Sequence, residues 1–339
     1  MAHRIALNFE DGVTRFIECD SNEVVADAAY RARLNIPMDC RDGACGTCKS
    51  KCESGRFRMG DYIEDALSED EASEGYVLTC QFRPESDCVI SIPATSALCK
   101  SGPTVFEAEI ADVRQLSDTT IGFTVALDQP EALSFLPGQY MQVSVPGTDE
   151  SRAYSFSSGV SGGRADFLVR NIPGGLMSSY LSSQAASGDR LTLRGPVGAF
   201  YLREIRRPTL FLAGGTGLAP FLAMLEHLDE EGGPAHPVRL VYGVTRDVDM
   251  VEVEKLARFA DAMPNFSYDV CVADKDSAHD LKGFVTDHFG AADLNDGEAD
   301  VYLCGPPPMV DAVKAHFDKI GVKPASFHYE KFLAAETTV

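Results

Sequence analysis

The chain has 339 residues, 45% of them apolar, which suits roughly two or three ordinary globular domains. Its formal net charge of −21 argues against a nucleic-acid partner. No run of about 18 apolar residues is present, and the start Met1-Ala2-His3-Arg4-Ile5-Ala6 has no long apolar signal core, so no membrane span and a cytoplasmic location are expected.

Short strand-like runs at 3–9 and 13–18 are joined by Asp11-Gly12, a hairpin signal. Glu23 to Leu34 reads as a helix, capped by Ser21 or Asn22 and ended by Pro37. A cysteine-bearing loop follows. Then come a strand near 48–53, a short acidic helix near 69–74, and strands near 76–79 and 88–92. Thr95 to Pro103 has the composition of a linker. From Val105 to about Leu202 strands dominate, at 105–116, 119–127, 139–145, 152–156, 165–170 and 190–195, with one helix at 176–184. Short strands with frequent Gly and Pro turns suggest an antiparallel barrel. From Pro208 apolar strands alternate with helices: strands at 209–213, 238–242, 267–272, 300–303 and 325–329, helices at 217–229, 250–262, 283–289 and 307–319. That alternation predicts a parallel, doubly wound sheet. The expected division is therefore 1–95, 104–204 and 207–339.

Cys40, Cys45 and Cys48 form C-x4-C-x2-C, and Cys80 follows after a long gap. This is the spacing with which plant-type ferredoxins hold a 2Fe–2S cluster. Gly43, Ala44, Gly46 and Thr47 are small, as a loop turning several sulfurs onto two irons requires. The alternatives are a zinc site or buried free thiols. Zinc sites usually pair two close C-x2-C arms, and Cys80 has no such partner. Cys19, Cys52, Cys88, Cys99 and Cys271 read as small apolar residues. Asp61, Glu64, Asp65, Glu69, Asp70, Glu71 and Glu74 form an acidic cluster. Its bland reading is a solvated helix and loop, and its sharper one is a docking face beside the cysteines.

Arg152-Ala153-Tyr154-Ser155-Phe156-Ser157 supplies a cation and an aromatic. Val169-Arg170-Asn171-Ile172-Pro173-Gly174-Gly175-Leu176-Met177-Ser178 runs from a strand into a helix start, where free N–H groups favour an anion. Together they suit a flavin dinucleotide, or else a bulge and a turn without a ligand. Gly214-Gly215-Thr216-Gly217-Leu218-Ala219-Pro220 follows a strand and opens a helix; it departs from the dinucleotide fingerprint at its third glycine. Cys304-Gly305-Pro306-Pro307-Pro308-Met309 ends another strand of the same sheet, where ligands collect. Cys304 faces a nicotinamide there, or is a buried apolar residue at a turn.

In this order the segments resemble a ferredoxin domain fused in front of a ferredoxin–NADP reductase-like module. More narrowly, the chain resembles the reductase components of benzoate, toluate and anthranilate 1,2-dioxygenase systems. Asn35-Ile36-Pro37-Met38-Asp39-Cys40, Tyr62 to Leu67, Arg152 to Ser157, Leu212 to Pro220, Val301 to Pro306 and Glu330-Lys331-Phe332 carry the likeness. The resemblance implies a β-grasp ferredoxin domain, a flavin barrel and a nucleotide domain. It implies that Arg152, Tyr154, Ser155 and Phe156 hold FAD, with Ser155 near its reactive nitrogen, and that Val169, Arg170 and Gly174 to Ser178 (Gly175, Leu176, Met177) serve its pyrophosphate side. Gly214, Gly215, Thr216, Gly217, Pro220, Gly243, Thr245, Asp249, Gly305, Pro306 and Met309 would meet the pyridine nucleotide, and Cys304 its nicotinamide. Glu330 and Phe332 would lie at the flavin, and Ser155, Cys304 and Glu330 would be the catalytic set. Photosynthetic members end on Tyr; here the aromatic is Phe332 and seven residues follow.

The implied activity is an NADH-dependent reductase passing electrons through FAD and a 2Fe–2S cluster to the oxygenase component of a Rieske-type aromatic-ring dioxygenase. A diiron monooxygenase is the alternative partner. A cluster-only electron carrier and a zinc-stabilised binding module are rivals of another class. The seven histidines are scattered and form no Rieske or facial-triad motif, so the chain is not expected to activate oxygen itself. NADH is expected over NADPH, because Asp247 and Asp249 flank Arg246 beyond the second strand of the sheet. No membrane partner is expected, and the chain is expected to be a monomer.

Overall fold

The computed structural model describes residues 2–100 and 104–332. Two compact units result, one ending near Thr104 and the other beginning at Val105.

The first unit contains β1 (Ala2–Phe9), β2 (Thr14–Asp20), α1 (Val25–Arg31), β3 (Lys49–Ser54), β4 (Phe57–Met59), α2 (Glu69–Ser73), β5 (Tyr76–Leu78), β6 (Phe82–Pro84) and β7 (Cys88–Ile92). Five strands form a sheet in the order β2-β1-β7-β3-β5. The β1–β7 pair is parallel and the others antiparallel, which is the mixed sheet of a β-grasp domain. One face of α1 (Val25, Ala26, Ala28, Ala29) packs into a core with Ile5, Leu7, Leu78 and Ile90. The helix is shorter than the sequence suggests. Val24 is extended at its start and Arg33 takes φ +60° just past its end, so neither Ser21 nor Asn22 caps it. The hairpin of β4 and β6 is too short to carry a readable period. The start of the expected linker is packed: Ser96 donates from N and Oγ to Asp11 Oδ2 (2.9 and 2.7 Å), and Cys99 is buried. The rest of that stretch, 101–103, lies outside the described residues.

The second unit opens with β8 (Thr104–Ser117), β9 (Thr120–Leu127), β10 (Tyr140–Ser144), β11 (Ser151–Ser155), β12 (Arg164–Arg170), α3 (Leu176–Ser183) and β13 (Arg190–Val197). Six strands run in the order β11-β10-β13-β8-β9-β12. An antiparallel bridge from Phe156 to Phe167 joins the two outer strands and closes the barrel. Closure removes the sheet edges that would otherwise be open to pairing. Phe123, Phe156 and Phe167 fill the barrel, with Phe135 stacked on Phe156 at 4.1 Å between centroids.

The chain continues through β14 (Thr209–Gly214), α4 (Ala219–Glu230), β15 (Val238–Val244), α5 (Val253–Ala262), β16 (Phe266–Val272), β17 (Asp300–Gly305), α6 (Pro307–Ile320) and β18 (Ser326–Lys331). Five parallel strands lie in the order β16-β15-β14-β17-β18. Alternate residues of β14 serve opposite cores. Phe211 and Ala213 pack with α4 and α5, while Leu210 and Leu212 pack with α6. Burial on both faces explains the unbroken apolar runs. The expected helix at 283–289 is only the 3-10 turn Val285–Asp287, followed by the turn Ala291–Gly297, where Asn295 and Asp296 are left-handed. Helix α5 begins at Val253, later than expected, because Glu252 takes φ +58°. Among the described residues no helix is long and apolar enough to cross a membrane.

The passage from β14 into α4 depends on close backbone approach. A Cβ at Gly217 would lie 2.2 Å from the carbonyl oxygen of Cys304 on β17. Gly217→Ala is therefore expected to lower the unfolding free energy by about 1–3 kcal/mol, the scale of overpacking, read as a lower urea midpoint.

Candidate functional site

Strand pairing assembles the cysteines. Cys48 immediately precedes β3 and Cys80 lies two residues beyond β5, and Lys49 pairs with Leu78 between those strands. The two sulfurs are 3.3 Å apart. The loop from Cys40 returns to them through left-handed residues Arg41, Gly43 and Gly46. A Cβ at Gly43 would lie 2.5 Å from the Asp61 carbonyl oxygen, so only glycine lets the loop rest on that segment. The amide of Cys45 donates to Cys40 Sγ at 3.3 Å, the amide-to-sulfur contact that stabilises negative charge on thiolates.

The four thiols form one connected chain: Cys45 meets Cys40, Cys40 meets Cys80, and Cys80 meets Cys48. Hydrogen bonds from Cys45 and Cys80 hold Cys40 below the usual thiol range. The same bonds, with burial, push Cys45 and Cys80 up. The Cys48–Cys80 sulfur pair and the amide donated to Cys40 suit thiolates gathered on shared iron, and this donor set fits an iron–sulfur cluster. The other cysteines differ. Burial pushes Cys19 and Cys99 up to about 12 and Cys52 and Cys271 to about 11, and it also raises Cys88, so all five are neutral apolar groups.

One member of the acidic cluster is not solvated. Glu71 is buried and pairs with Lys49, beside Cys48, at 2.6 Å. It also accepts from the Ser68 N–H at 3.0 Å, completing a capping box on α2. Asp61, Glu64, Asp65, Glu69, Asp70 and Glu74 are exposed.

In the second unit, β11 carries Arg152, Tyr154 and Ser155. Arg152 Nη1 donates to Glu150 Oε2 at 3.0 Å and to the Ser151 carbonyl at 2.7 Å. Tyr154 lies edge-on to Phe123, and burial raises its phenol above the ordinary range. Phe156 and Val169 belong to the barrel core, while Arg170 is exposed. At the start of α3, Gly174 is left-handed and no side chain caps Gly175. Met177 turns into the core. The Ser178 hydroxyl donates to the Ile172 carbonyl at 2.9 Å and accepts from the Ile172 N–H, so it closes the loop. The uncapped turn at Leu176 could hold an anion through backbone N–H groups.

The parallel sheet brings the remaining candidates to its carboxyl ends. Gly214 and Gly305 flank the Met309 sulfur, which a Cβ on either would meet at 2.5 or 2.7 Å. Gly215 has φ +55°, and a Cβ placed there would meet nothing within 4 Å, leaving open space before the turn where a nucleotide could lie. Thr216 is half-buried there, Pro220 opens α4, and Pro306 precedes α6. Gly243 packs against Val285, and Thr245 is exposed.

Cys304 and Glu330 are register partners on β17 and β18, and the Ser155 hydroxyl reaches Glu330 Oε2 at 3.4 Å. The structure thus brings Ser155, Cys304 and Glu330 together from three distant parts of the chain. Cys304 is fully buried, and burial, helped by Glu330, pushes its thiol well up. The Phe332 N–H donates to the Gly305 carbonyl at 2.9 Å, fixing the aromatic beside the strand ends.

Two polar ties to the barrel are invisible in the sequence. Lys255 Nζ on α5 donates to the Ser157 carbonyl at 3.3 Å and pairs with Glu226 at 3.5 Å. Thr119 Oγ1, at the β8–β9 turn, donates to Asp249 Oδ1 at 2.8 Å. Asp249 also accepts from Arg246 at N (3.0 Å), Nε (3.2 Å) and Nη2 (3.0 Å). Burial pushes the Asp249 carboxyl up, but these bonds outweigh it and hold it below the usual range. Both Asp249 oxygens are thus engaged within the chain rather than presented to a ribose. Asp247 Oδ1 accepts from Ser277 at 2.6 Å.

Residues 8–85 match the 2Fe-2S iron-sulfur cluster binding domain, 107–201 the oxidoreductase FAD-binding domain and 211–315 the oxidoreductase NAD-binding domain. The toluate 1,2-dioxygenase electron transfer component of Pseudomonas putida is 58% identical over 99% of this chain and 100% of its own length. The chain belongs to this family of electron transfer components. The anthranilate 1,2-dioxygenase electron transfer component of Acinetobacter baylyi is 40% identical over 99% of each chain. Among solved structures, an Amycolatopsis cytochrome P450 reductase superposes with a TM-score of 0.72 at 30% identity, covering 98% of this chain and 100% of its own. With its three cofactor domains in one polypeptide, this chain takes FAD, NADH and a 2Fe–2S cluster.

Cys45→Ser and Cys80→Ser are expected to abolish the cluster, because a thiolate ligand is lost. Cys52→Ser and Cys88→Ser are expected to retain it. Iron and acid-labile sulfide analysis separates the two pairs, and full cluster content in the Cys80 variant would remove that residue from the ligand set.

Proposed function

We propose that the chain takes reducing equivalents from NADH and delivers single electrons to the oxygenase component of a Rieske-type dioxygenase acting on benzoate-like aromatic acids. The observation that carries this reading is the end-to-end 58% identity to a toluate dioxygenase electron transfer component. When bound, FAD accepts a hydride as a pair of electrons and releases them one at a time to the cluster.

The chain's own residues bind and orient. Ser155, steadied by Glu330, would present its hydroxyl toward the flavin, and Arg152 and Tyr154 would fix the flavin's place on β11. Gly215 would let the nucleotide approach bare backbone, while Gly217 lets that turn pack on β17. The buried, neutral Cys304 would furnish a dry wall beside the nicotinamide and exclude water from it. Cys40, Cys45, Cys48 and Cys80 would hold the cluster. No acid–base triad is required, since a hydride moves without a separate proton transfer. Operation as a cytoplasmic monomer is part of the same proposal.

In the full chain, Cys80→Ser is expected to keep NADH oxidation with ferricyanide, which accepts electrons from flavin directly, and to lose reduction of the oxygenase. Retained oxygenase reduction would show that the cluster is not the exit point. Ser155→Ala is expected to slow flavin reduction by about tenfold, the scale of one charge-assisted hydrogen bond, in stopped flow. Electron delivery to a purified aromatic-ring dioxygenase, compared with delivery to a diiron monooxygenase, tests the partner. Faster delivery to the diiron enzyme would overturn that assignment.

A further inference from the structure

An NADH site must keep out a nucleotide that differs only by a 2′-phosphate, and the end of β15 is where that choice falls. Arg246 is the sole cation between Thr245 and Glu252. In doubly wound sheets the adenosine ribose falls near the end of the strand next to the glycine-rich turn, where an acid favours a free 2′-hydroxyl and an arginine accommodates a 2′-phosphate. Strand β15 pairs with β14, which carries that turn, and Arg246 lies two residues past its end. On sequence grounds Arg246 would invite the phosphate and its acidic neighbours would oppose it.

The geometry decides between them. The Arg246 guanidinium grips Asp249 through Nε and Nη2, a two-pronged ion pair that engages one edge of its donor fork and turns it toward the carboxylate. Asp249 receives four hydrogen bonds, two on each oxygen, counting Thr119 and the Arg246 amide. An ionised carboxylate has about four acceptor sites, so this one is saturated and has none left for a ribose hydroxyl. The Arg246 side chain is half exposed while that of Asp249 is 10% exposed, so the arginine is held onto the fold by the acid rather than the reverse. Asp118 and Asp274 add further negative charge around the guanidinium. Thr119 belongs to the barrel, so the pair is fastened from a second element, 130 residues away in the chain.

We propose that Asp249 is a specificity-determining, positioning residue: it withdraws Arg246 from the 2′-phosphate place by a saturated ion pair latched to Thr119. Asp249 does not touch the ribose in this account. The inference rests on the reading of the sheet's carboxyl ends as the NADH site.

The test titrates AMP and 2′-phospho-AMP into the full chain carrying FAD and its cluster, by calorimetry. The wild type is expected to bind 2′-phospho-AMP no more tightly than AMP. In Asp249→Ala the affinity ratio is expected to move about tenfold or more toward 2′-phospho-AMP, the scale of a freed arginine meeting a phosphate. Adding Arg246→Ala is expected to cancel that gain, which a merely structural role for Asp249 would not predict. The NADPH-to-NADH ratio of kcat/KM is expected to rise in the same single variant. An unchanged affinity ratio in Asp249→Ala, or a gain that survives removal of Arg246, would overturn the proposal. If Asp249→Ala does not fold, Asp249→Asn keeps the shape and the Thr119 bond while removing the charge, and the ratio must move in the same direction. Failure of the wild type to bind AMP at all would instead overturn the nucleotide reading beneath the proposal.

Discussion

Pairing consumes the N–H and C=O groups of a strand along its length, and in the parallel sheet both faces of the inner strands are buried as well. Polar chemistry is then confined to the places where strands stop. Gly214, Gly243, Cys304 and Glu330 all lie at or near the carboxyl ends of their strands, and the 3-10 turn at Gly215 begins there. The first unit obeys the same constraint, since Cys48 and Cys80 sit just outside β3 and β5. In both units the sheet acts as a ruler that sets the spacing of side chains that are far apart in sequence. The ruler is stiff because its backbone bonds would be costly to leave unmade in an apolar interior.

Charge follows a similar logic. The chain carries 51 acidic residues against 30 lysines and arginines, so most carboxylates are left to water. Those that are buried or half-buried are matched with care. Glu71 holds Lys49, Asp249 holds Arg246, and Asp269 and Asp293 grip Arg239 from two sides. A lone buried carboxylate would be costly, whereas a paired and hydrogen-bonded one is tolerated and fixes the geometry of its partner. The Arg239 clamp joins β15 to β16 and to the turn before β17.

How far the sequence can be read depends on the range over which each feature is encoded. Cys40, Cys45 and Cys48 are local, and their spacing is a chemical requirement, so they stand out without any structure. The alternating strands and helices after Pro208 are legible because burial on both faces leaves long apolar runs. The short β4–β6 hairpin has too few residues to show a period, and the turn at Val285–Asp287 resembles a helix in composition while Gly283 at φ +110° interrupts it. Contacts between distant segments are out of reach. Nothing in the residues around Thr119 announces Asp249, and nothing around Ser157 announces Lys255. The acidic cluster looks uniform in sequence, but folding draws Glu71 inward because Ser68 offers it a cap and Lys49 a counter-charge.

Six thiols outside the cluster loop, Cys304 among them, are held in the protonated form by burial. The thiolate is the species that attacks peroxide and alkylating reagents. A protein whose work brings reducing power close to oxygen therefore carries many sulfurs with little exposure to the first rung of sulfur oxidation. Cys19 and Cys271, wholly enclosed, need local opening before any reagent can reach them, so their chemical ageing is tied to how often the fold breathes rather than to the redox conditions around it.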